Sequence, residues 1–418
     1  MARDLQNRFA HLVRIGQVIN SSLVLDEVLS RVLDSLVDVT GAERGAILLL
    51  DDRGDLVVRA ARSLDHNTIT ADSFLTSRNL LREVARTGVP RLITDAGSDV
   101  TFGQFASVLL HHLQSIICVP LKVRDDVRGV LYVDHRVDVG AFTEDDLDLL
   151  DAFAGQASIA IENARMFQAL AEQERQRKEL EIARSIQMSL MPSHMPTPTG
   201  FALAAACVPA YQVGGDFYDA LVADDGQITL FLGDVSGKGV PAALLMGMVR
   251  TLLRSEIERS SSLAETVSHC NRVLYDDFTN TNMFATLMLG RLDPAARTLT
   301  YVNCGHCESL LWRDASKEIE TLSGDGLPLG ILDEFDTTEY TVELGPGDIV
   351  VTYSDGYSEA KAPDGDRFGV PRISDALQES VNFAASSVLE HINQAVDRFA
   401  YPEPQSDDET MIVVQALR

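Results

Sequence analysis

The sequence predicts an α+β protein of several domains, in which units of helices and antiparallel strands are joined by a long helix. Three observations predict this class. Apolar runs separated by short turns occur in both halves of the chain, a stretch from Glu144 to Met191 has helical spacing, and the proline-rich segment PSHMPTPTG ends it. At 418 residues the chain has the length of two or three domains.

The first part of the chain predicts a helix over residues 1–20 and a mixed domain over residues 21–165. Leu5, Phe9 and Leu12 have helical spacing. In GAILLLDDRGDLVVRAA two apolar runs flank a polar turn, and SIICVPLKVRDDVRGVLYVD repeats the pattern, so both segments predict hairpins. We therefore expect an antiparallel sheet with helices packed on it.

The stretch from Glu144 to Met191 predicts one long helix. Apolar residues keep a 3-4 spacing up to Ala164, and a second phase begins at Leu180, after the polar segment AEQERQRKE. Such a helix would be about 70 Å long, which exceeds what one small domain can cover. We predict a coiled-coil linker over residues 166–192 that pairs in a homodimer; a surface helix with a charged middle is the alternative.

The last part, residues 193–418, predicts packed antiparallel sheets flanked by helices, because its strands come in pairs with few strand–helix–strand alternations. Strands are expected at residues 227–233, 283–292, 297–303, 308–312, 347–353 and 410–417. Helices are expected at residues 240–258, 262–277, 371–379 and 384–399.

Charge and composition exclude several classes of function. A net charge of −27 argues against nucleic acid or an anionic membrane as a partner. The longest apolar stretches, about ten residues, are too short to span a membrane. The N-terminus lacks the pattern of a signal peptide, and five cysteines suit free thiols in a reducing compartment, so we expect a cytoplasmic protein.

Aspartates at the ends of predicted strands are the candidate chemical groups. Each taken alone could be a turn residue. If they converge, their mutual repulsion requires cations, and carboxylates with carbonyls and water suit Mg²⁺ or Mn²⁺. A two-metal cluster lowers the pKa of a bridging water and favours in-line displacement at phosphorus. The segments are VGGDFYD with Asp216 and Asp219, FLGDVSGKG with Asp234, VVTYSDGYSEA with Asp355, and SDDETMIVV with Asp407 and Asp408.

The ordered motifs VGGDFYD, GDVSGKG, YSDG and DDET resemble the metal-dependent (PPM, type 2C-like) protein serine/threonine phosphatases, in particular the bacterial SpoIIE and RsbU branch. The resemblance covers residues from about 180 to 418. It implies a fold of two packed antiparallel β-sheets flanked by helices. It also implies dephosphorylation of an anti-sigma-factor antagonist, a STAS-domain phosphoprotein, in bacterial stress or developmental signalling.

The resemblance assigns roles to the matching aspartates. Asp234 would bridge two Mn²⁺ or Mg²⁺ ions with help from the Val235 carbonyl, and Asp355 and Asp407 would complete the second ion. Asp216 would hold metal-bound water. Asp219 and Asp408 are expected to support these ligands from behind.

The sequence also departs from the eukaryotic members of the family. Val235 and Ser236 stand where those members have Gly-His, whose histidine is their proposed acid, so the acid that protonates the leaving group is unassigned. No counterpart of their phosphate-binding arginine is evident. Lys238 either meets the phosphate or is a solvated loop lysine.

The segments GAILLLDD, VARTGVPRLITDA and AFTEDDLDLLDAFAGQASIAIENA, with the second hairpin, resemble a GAF domain. The resemblance names no ligand, because Asp134-His135 replaces the Asn-Lys of many cyclic-nucleotide-binding members. Cys118 lies within an apolar strand and is expected to be a buried thiol. The domain either senses a small molecule or serves only for dimerisation.

Two readings of the whole chain follow. In the first, the GAF dimer sets the register of the helix over residues 144–190, which changes how helix 240–258 packs behind Asp234. In the second, the chain is a non-catalytic signalling scaffold, which the retention of all four acidic motifs disfavours. The tetrapeptide CGHC at Cys304–Cys307 lies between two apolar runs and predicts a turn rather than a redox or zinc site.

Overall fold

The computed structural model describes residues 22–51, 53–64, 67, 78–95, 114–136 and 138–418. The chain divides into two compact units, Met1–Gln176 and Arg177–Arg418. The helix predicted over residues 1–20 lies outside the described residues. The domain boundaries predicted at residues 165 and 192 fall on either side of the division and stay predictions.

The first unit contains a five-stranded antiparallel sheet with strand order β2-β1-β5-β4-β3. Both predicted hairpins are confirmed, as β1–β2 and β4–β5, whereas the short β3 was not predicted. The elements are α1 (Leu25–Thr40), β1 (Arg44–Leu50), β2 (Leu56–Ser63), α2 (Arg78–Thr87), β3 (Arg91–Ile93), β4 (Ser115–Val123) and β5 (Asp126–His135).

Helices cover both faces of this sheet. Helix α1 carries Asp26 and Glu27 in its first turn, where the helix dipole favours acids, and ends at Gly41, whose φ of 64° suits glycine. Its apolar side packs on one face of the sheet, together with Phe153 and Ile161 from the helix that begins at Glu144. Helix α2 packs on the other face.

Helix α3 (Glu144–Leu190) confirms the long helix predicted from Glu144 to Met191. Several of its large apolar side chains are exposed, including Ile159, Phe167, Leu170 and Ile186. None of the helices in the described part of the chain is long and apolar enough to cross a membrane.

The second unit contains two five-stranded antiparallel sheets, with orders β13-β10-β9-β8-β7 and β12-β11-β14-β15-β6. Its strands are β6 (Phe201–Val208), β7 (Asp216–Val222), β8 (Ile228–Val235), β9 (Ala285–Asp293), β10 (Thr298–Cys304), β11 (Ser309–Arg313), β12 (Glu318–Leu322), β13 (Tyr340–Glu343), β14 (Ile349–Tyr353) and β15 (Glu409–Ala416). Its helices are α4 (Val240–Ile257), α5 (Leu263–Thr281), α6 (Asp355–Glu359), α7 (Gly369–Ser380) and α8 (Ala385–Ala400).

The two sheets pack face to face, and helices cover their outer faces. One apolar core joins inward side chains of both sheets, such as Leu232 and Ile412, and continues under α4 and α5. A second core fills the space between the other sheet and α6–α8. This is the predicted arrangement of packed sheets with helices outside, and it brings the ends of β7, β8, β14 and β15 towards one edge.

Candidate active site

Asp216 and Asp234 lie opposite each other on the paired strands β7 and β8. A glycine precedes each aspartate, Gly215 before Asp216 and Gly233 before Asp234, and the backbone at both positions is too crowded for a side chain. A Cβ atom at Gly215 would lie 2.3 Å from the Val235 carbonyl oxygen and 3.3 Å from Asp234 Oδ1. The Asp234 carboxyl group and the Val235 carbonyl therefore border the space that the missing side chain leaves open.

The electrostatics of the pair are unfavourable without a cation. Burial and the charges of Asp234 and Asp408 raise the pKa of Asp216 well above its ordinary value. Burial and the charge of Asp355 raise the pKa of Asp234 to about 7. The buried Asp216 Oδ2 atom has no hydrogen-bond partner among the described residues.

Asp355 and Asp407 approach the pair from the second sheet. Asp355 is the first residue of α6 rather than the end of a strand, which corrects the sequence prediction, since β14 already ends at Tyr353. Burial, followed by the charge of Asp407, raises the pKa of Asp355. The charge of Asp407 also reaches Asp234. All four predicted acidic segments thus contribute a carboxylate to one region.

Lys238 is not a free loop lysine. Its Nζ atom lies 2.8 Å from Asp407 Oδ2 and donates to the carbonyl oxygen of Ser406 at 2.6 Å. The side chain is still 45% exposed. A cation is therefore already positioned beside the carboxylates, at the solvent side of the cluster.

Asp408 supports the loop that carries Asp216. Its Oδ1 atom accepts a hydrogen bond from the Ala210 N–H at 2.8 Å, and its Oδ2 atom accepts one from the Gly215 N–H at 2.9 Å. A Cβ atom at Gly214 would overlap this carboxylate. Asp408 therefore fixes the glycine loop.

The end of helix α3 holds the same loop from its other side. The Gln187 side-chain amide donates to the Gly214 carbonyl at 2.7 Å, and its oxygen accepts from the Gly214 N–H at 3.1 Å. Met191, just beyond the helix, accepts a hydrogen bond at Sδ from the Tyr218 N–H. Both side chains are buried. The sequence pattern predicted only that Gln187 lies in a helix, so its contact with Gly214 was not predicted.

Asp219 does not join the cluster. Side chains alternate along β7, so Asp219 projects to the face opposite Asp216. It is buried and pairs with Arg250 Nη2 at 2.6 Å and with Arg254 Nη1 at 2.7 Å, both from α4. The prediction that Asp219 supports the metal ligands is therefore wrong, because its carboxylate instead holds α4 against the sheet.

The CGHC tetrapeptide forms the expected turn between β10 and β11. Both of its cysteines are free, and Gly305 has a φ of 69°. The His306 Nδ1 atom lies 2.7 Å from Thr286 Oγ1, and Thr286 is the strand neighbour of Asp234 on β9. Burial lowers the pKa of His306 to about 4, which keeps the imidazole neutral at pH 7.

In the first unit, two residues singled out in the sequence are structural. Arg44 donates to both oxygens of the buried Asp134, at 2.9 and 2.5 Å, so this carboxylate is already paired at the end of β5. Cys118 is fully buried on β4, as predicted, and burial raises the pKa of its thiol.

The carboxylate cluster fits a hard divalent cation. Among the described residues, no group of three or more His, Cys, Asp or Glu side chains already stands ready to hold a metal ion. Mg²⁺ does not require such a group, because it keeps several waters and uses one or two carboxylates. The unpartnered Asp216 oxygen, the adjacent Asp234 and the Val235 carbonyl form an oxygen-only ligand set of that kind.

Comparisons with known proteins agree with this geometry. Residues 224–417 match the family model of stage II sporulation protein E (SpoIIE), and residues 22–162 match that of the GAF domain. The chain thus has a segment that matches SpoIIE behind a segment that matches a GAF domain. The matched SpoIIE range contains Asp234, Asp355 and Asp407 but begins after Asp216.

Two curated relatives each align with 57% of this chain. Protein IcfG of Synechocystis is 31% identical over 265 residues, which are 57% of this chain and 41% of IcfG. Phosphoserine phosphatase RsbU of Bacillus subtilis is 28% identical over 239 residues, which are 57% of this chain and 70% of RsbU. The chain thus spans less than half the length of IcfG.

A solved structure supports the fold of the second unit. The SiaA-PP2C domain of Pseudomonas aeruginosa superposes with a TM-score of 0.53 at 22% identity, covering 59% of this chain and 98% of that domain. At this identity the likeness concerns the fold alone. It agrees with the two packed sheets described above.

Proposed function

We propose that this chain is a metal-dependent protein serine/threonine phosphatase whose activity is controlled through its GAF domain and helix α3. One observation carries the proposal: the acidic segments at the ends of β7, β8 and β14 and before β15 bring carboxylates together with no compensating cation except Lys238 among the described residues. Such a cluster is costly to fold unless it binds cations.

In this proposal Asp234 and the Val235 carbonyl hold the cations together with Asp355 and Asp407. Two Mg²⁺ or Mn²⁺ ions would activate a water molecule for in-line attack on phosphorus and neutralise the phosphoryl oxygens. Asp216, which lies opposite Asp234, would orient a water molecule beside the cations. Asp408 and Gln187 keep the glycine loop in place.

Lys238 is proposed to contact the phosphate group. Its ammonium group already lies beside Asp407, at the exposed side of the cluster. Asp407 is one of the residues that would hold a cation, and Lys238 beside it would then contact a phosphate oxygen at the exposed side of the cluster. No described residue is assigned as the acid for the leaving group, which leaves solvent for that role.

The proposed substrate is a phosphorylated protein of the anti-sigma-factor antagonist type, with a STAS domain. Support comes from the phosphoserine phosphatase RsbU, which aligns over 70% of its length. The proposed output is release of a sigma factor in a bacterial partner-switching pathway. We propose no nucleic-acid or membrane partner, because the chain has a net charge of −27.

Helix α3 is proposed to connect the two functions. Its exposed apolar side chains, such as Phe167, Leu170 and Ile186, would pair in a homodimer. Its end touches the glycine loop through Gln187, so a change of register would reach Asp216 directly. This contact joins α3 to the site directly, whereas the sequence suggested an indirect effect through the packing of α4 behind Asp234.

The test is hydrolysis of an aryl phosphate and of a phosphoserine STAS protein by the intact chain. We expect activity with Mn²⁺ that disappears with chelator and in Asp234→Asn. Asp224→Asn, an exposed aspartate after β7, is the matched control and should keep full activity. If wild-type protein that binds Mn²⁺ hydrolyses neither substrate, the phosphatase proposal fails and the scaffold reading gains support.

A further inference from the structure

A cavity of about 500 Å³ opens beside the carboxylate cluster. Its walls come from the connection between α6 and α7, the end of α8 at Ala400, and the segment before β15. Two of its lining residues adjoin the cluster directly, because Gly356 follows Asp355 and Ser406 precedes Asp407. A group bound in the cavity would therefore lie next to a phosphate held by the cluster.

Glu409 lines this cavity. It is the first residue of β15, and strand alternation places it with Met411 on the face covered by α8. Only 9% of the residue is exposed. Its carboxylate oxygens nevertheless keep contact with solvent, because they are not among the buried unpartnered atoms of the described residues. A largely buried carboxylate that faces a cavity can pair with a cationic group of a bound molecule.

The rest of the lining fits a long cationic side chain. Ala360, Ala400 and Pro404 offer apolar surface for an aliphatic stem, and Tyr211 lies at the side nearest Lys238. Glu403 adds a second carboxylate, whereas Lys361 is the one cation among the described lining residues. The cavity is thus apolar along its walls and carries net negative charge.

We propose that this cavity is a substrate subsite, which takes a lysine or arginine side chain close to the phosphoserine of the substrate protein. This inference rests on the proposed phosphatase function and adds a specificity element to it. Glu409 pairs with the ammonium or guanidinium group, while the stem packs against the apolar wall. The strong negative charge of the chain favours approach of such a basic segment.

The test uses the full chain with Mn²⁺ and phosphoserine peptides that differ at one position. Lysine, alanine and glutamate are placed in turn at each position on both sides of the phosphoserine. At one or more positions we expect lysine to raise kcat/KM about tenfold to a hundredfold over alanine, the range for a charged hydrogen bond, and glutamate to lower it. Equal kcat/KM values for all three residues at every position would overturn the proposal.

Variants assign the preference to the cavity. In Glu409→Gln the lysine-to-alanine ratio of kcat/KM should fall towards one, and in Glu409→Lys the preferred residue should become glutamate. Ala362→Trp, which fills the cavity from its outer wall, should also remove the preference. Glu390→Gln, an exposed glutamate elsewhere on α8, is the matched control and should keep the ratio. An unchanged ratio in both Glu409→Gln and Ala362→Trp would refute the subsite.

Hydrolysis of an aryl phosphate separates this inference from the proposed function. Wild-type protein that hydrolyses the aryl phosphate but shows no preference among the peptides keeps the proposed function and loses the subsite. If the aryl phosphate is not hydrolysed, the anisotropy of fluorescent lysine and glutamate peptides measures the cavity directly. Tighter binding of the lysine peptide that Glu409→Gln removes supports the subsite, and equal binding rejects it.

Discussion

Folding without metal favours the protonated form of Asp234, whereas cation binding requires its ionised form. Its pKa is raised to about 7, so the folded chain without metal binds a proton there more tightly than the unfolded chain does. A raised pKa contributes stability at pH values below the unfolded pKa of about 4, and this stability is lost as the pH rises towards 7. A bound cation reverses the balance, because it requires the ionised carboxylate.

We therefore predict that, without metal, the free energy of unfolding of the wild type falls between about pH 4 and pH 7. Asp234→Asn should remove much of this fall and raise the stability at pH 8 by a few kcal/mol, on the order of the linkage energy. Denaturant unfolding with chelator at pH 5 and pH 8 measures both values. A wild type whose stability rises over this range would contradict the assignment, and Asp224→Asn should behave like wild type.

With Mn²⁺ the order of stabilities should reverse. The melting temperature of the wild type should rise with Mn²⁺ concentration, because the ion binds only the folded state. That of Asp234→Asn should stay almost constant. An equal rise in both proteins would show that the cation binds elsewhere.

At the scale of single elements, the end of α3 and the glycine loop act together. Gln187→Ala should lower activity at limiting Mn²⁺ about tenfold, because Gly214 loses both hydrogen bonds to the helix and the loop no longer holds Asp216 in place. Titration of activity against Mn²⁺ separates weaker binding from slower turnover. Gln176→Ala, an exposed glutamine of the same helix, should leave both unchanged.

Helix α4 depends on Asp219 in a similar way. Asp219→Ala leaves Arg250, whose side chain is 10% exposed, without its carboxylate, and removal of one partner of a buried ion pair costs about 3–5 kcal/mol. Denaturant unfolding should show a loss of this size. Glu256→Ala, which breaks an ion pair with the 73% exposed Arg259, should cost clearly less. A loss for Asp219→Ala below about 1 kcal/mol would mean that α4 is held mainly by apolar packing.

The sequence predicted strands and helices well where apolar period and breakers were strong, as in β8, α4 and α8. It did not predict β6, β12 and β13, whose side chains are largely half-buried or exposed, so their apolar pattern is weak. It also did not predict β7, because Asp216 and Asp219 interrupt the apolar residues of that strand. The acidic motifs identified Asp216, Asp234, Asp355 and Asp407. Motif spacing could not tell which way Asp219 points or that Gln187 reaches Gly214, because both depend on how elements pack.

At the scale of the whole molecule, α3 is a continuous helix whose end contacts the glycine loop beside the carboxylate cluster. Insertion of one alanine after Glu174 turns the following helix by about 100°, whereas insertion of seven nearly restores the phase. We predict that one residue changes Mn²⁺-dependent activity at least about tenfold and that seven residues change it little. Activity unaffected by either insertion would separate the GAF domain from control of catalysis.

The domain composition could be predicted from sequence because each domain has several motifs in a fixed order. The ligand of the GAF domain could not be predicted. Asp134 stands where many cyclic-nucleotide-binding members have asparagine, but it is paired with Arg44, so its carboxylate has a structural role. Recognition by such a domain depends on cavity shape, which a linear pattern does not specify.

The pairing of β6 with β15 has a consequence for how the protein is made. In sequence these strands lie at opposite ends of the second unit, with about two hundred residues between them. In the fold they pair along their whole length, with Phe201 opposite Ala416 and Val208 opposite Glu409. During translation, β6 cannot pair with β15 until residues 409–416 have left the ribosome, and Asp407 leaves the ribosome only just before them. The carboxylate cluster is therefore complete only after the whole unit has been synthesised, and contacts so distant in sequence make this unit slow to assemble.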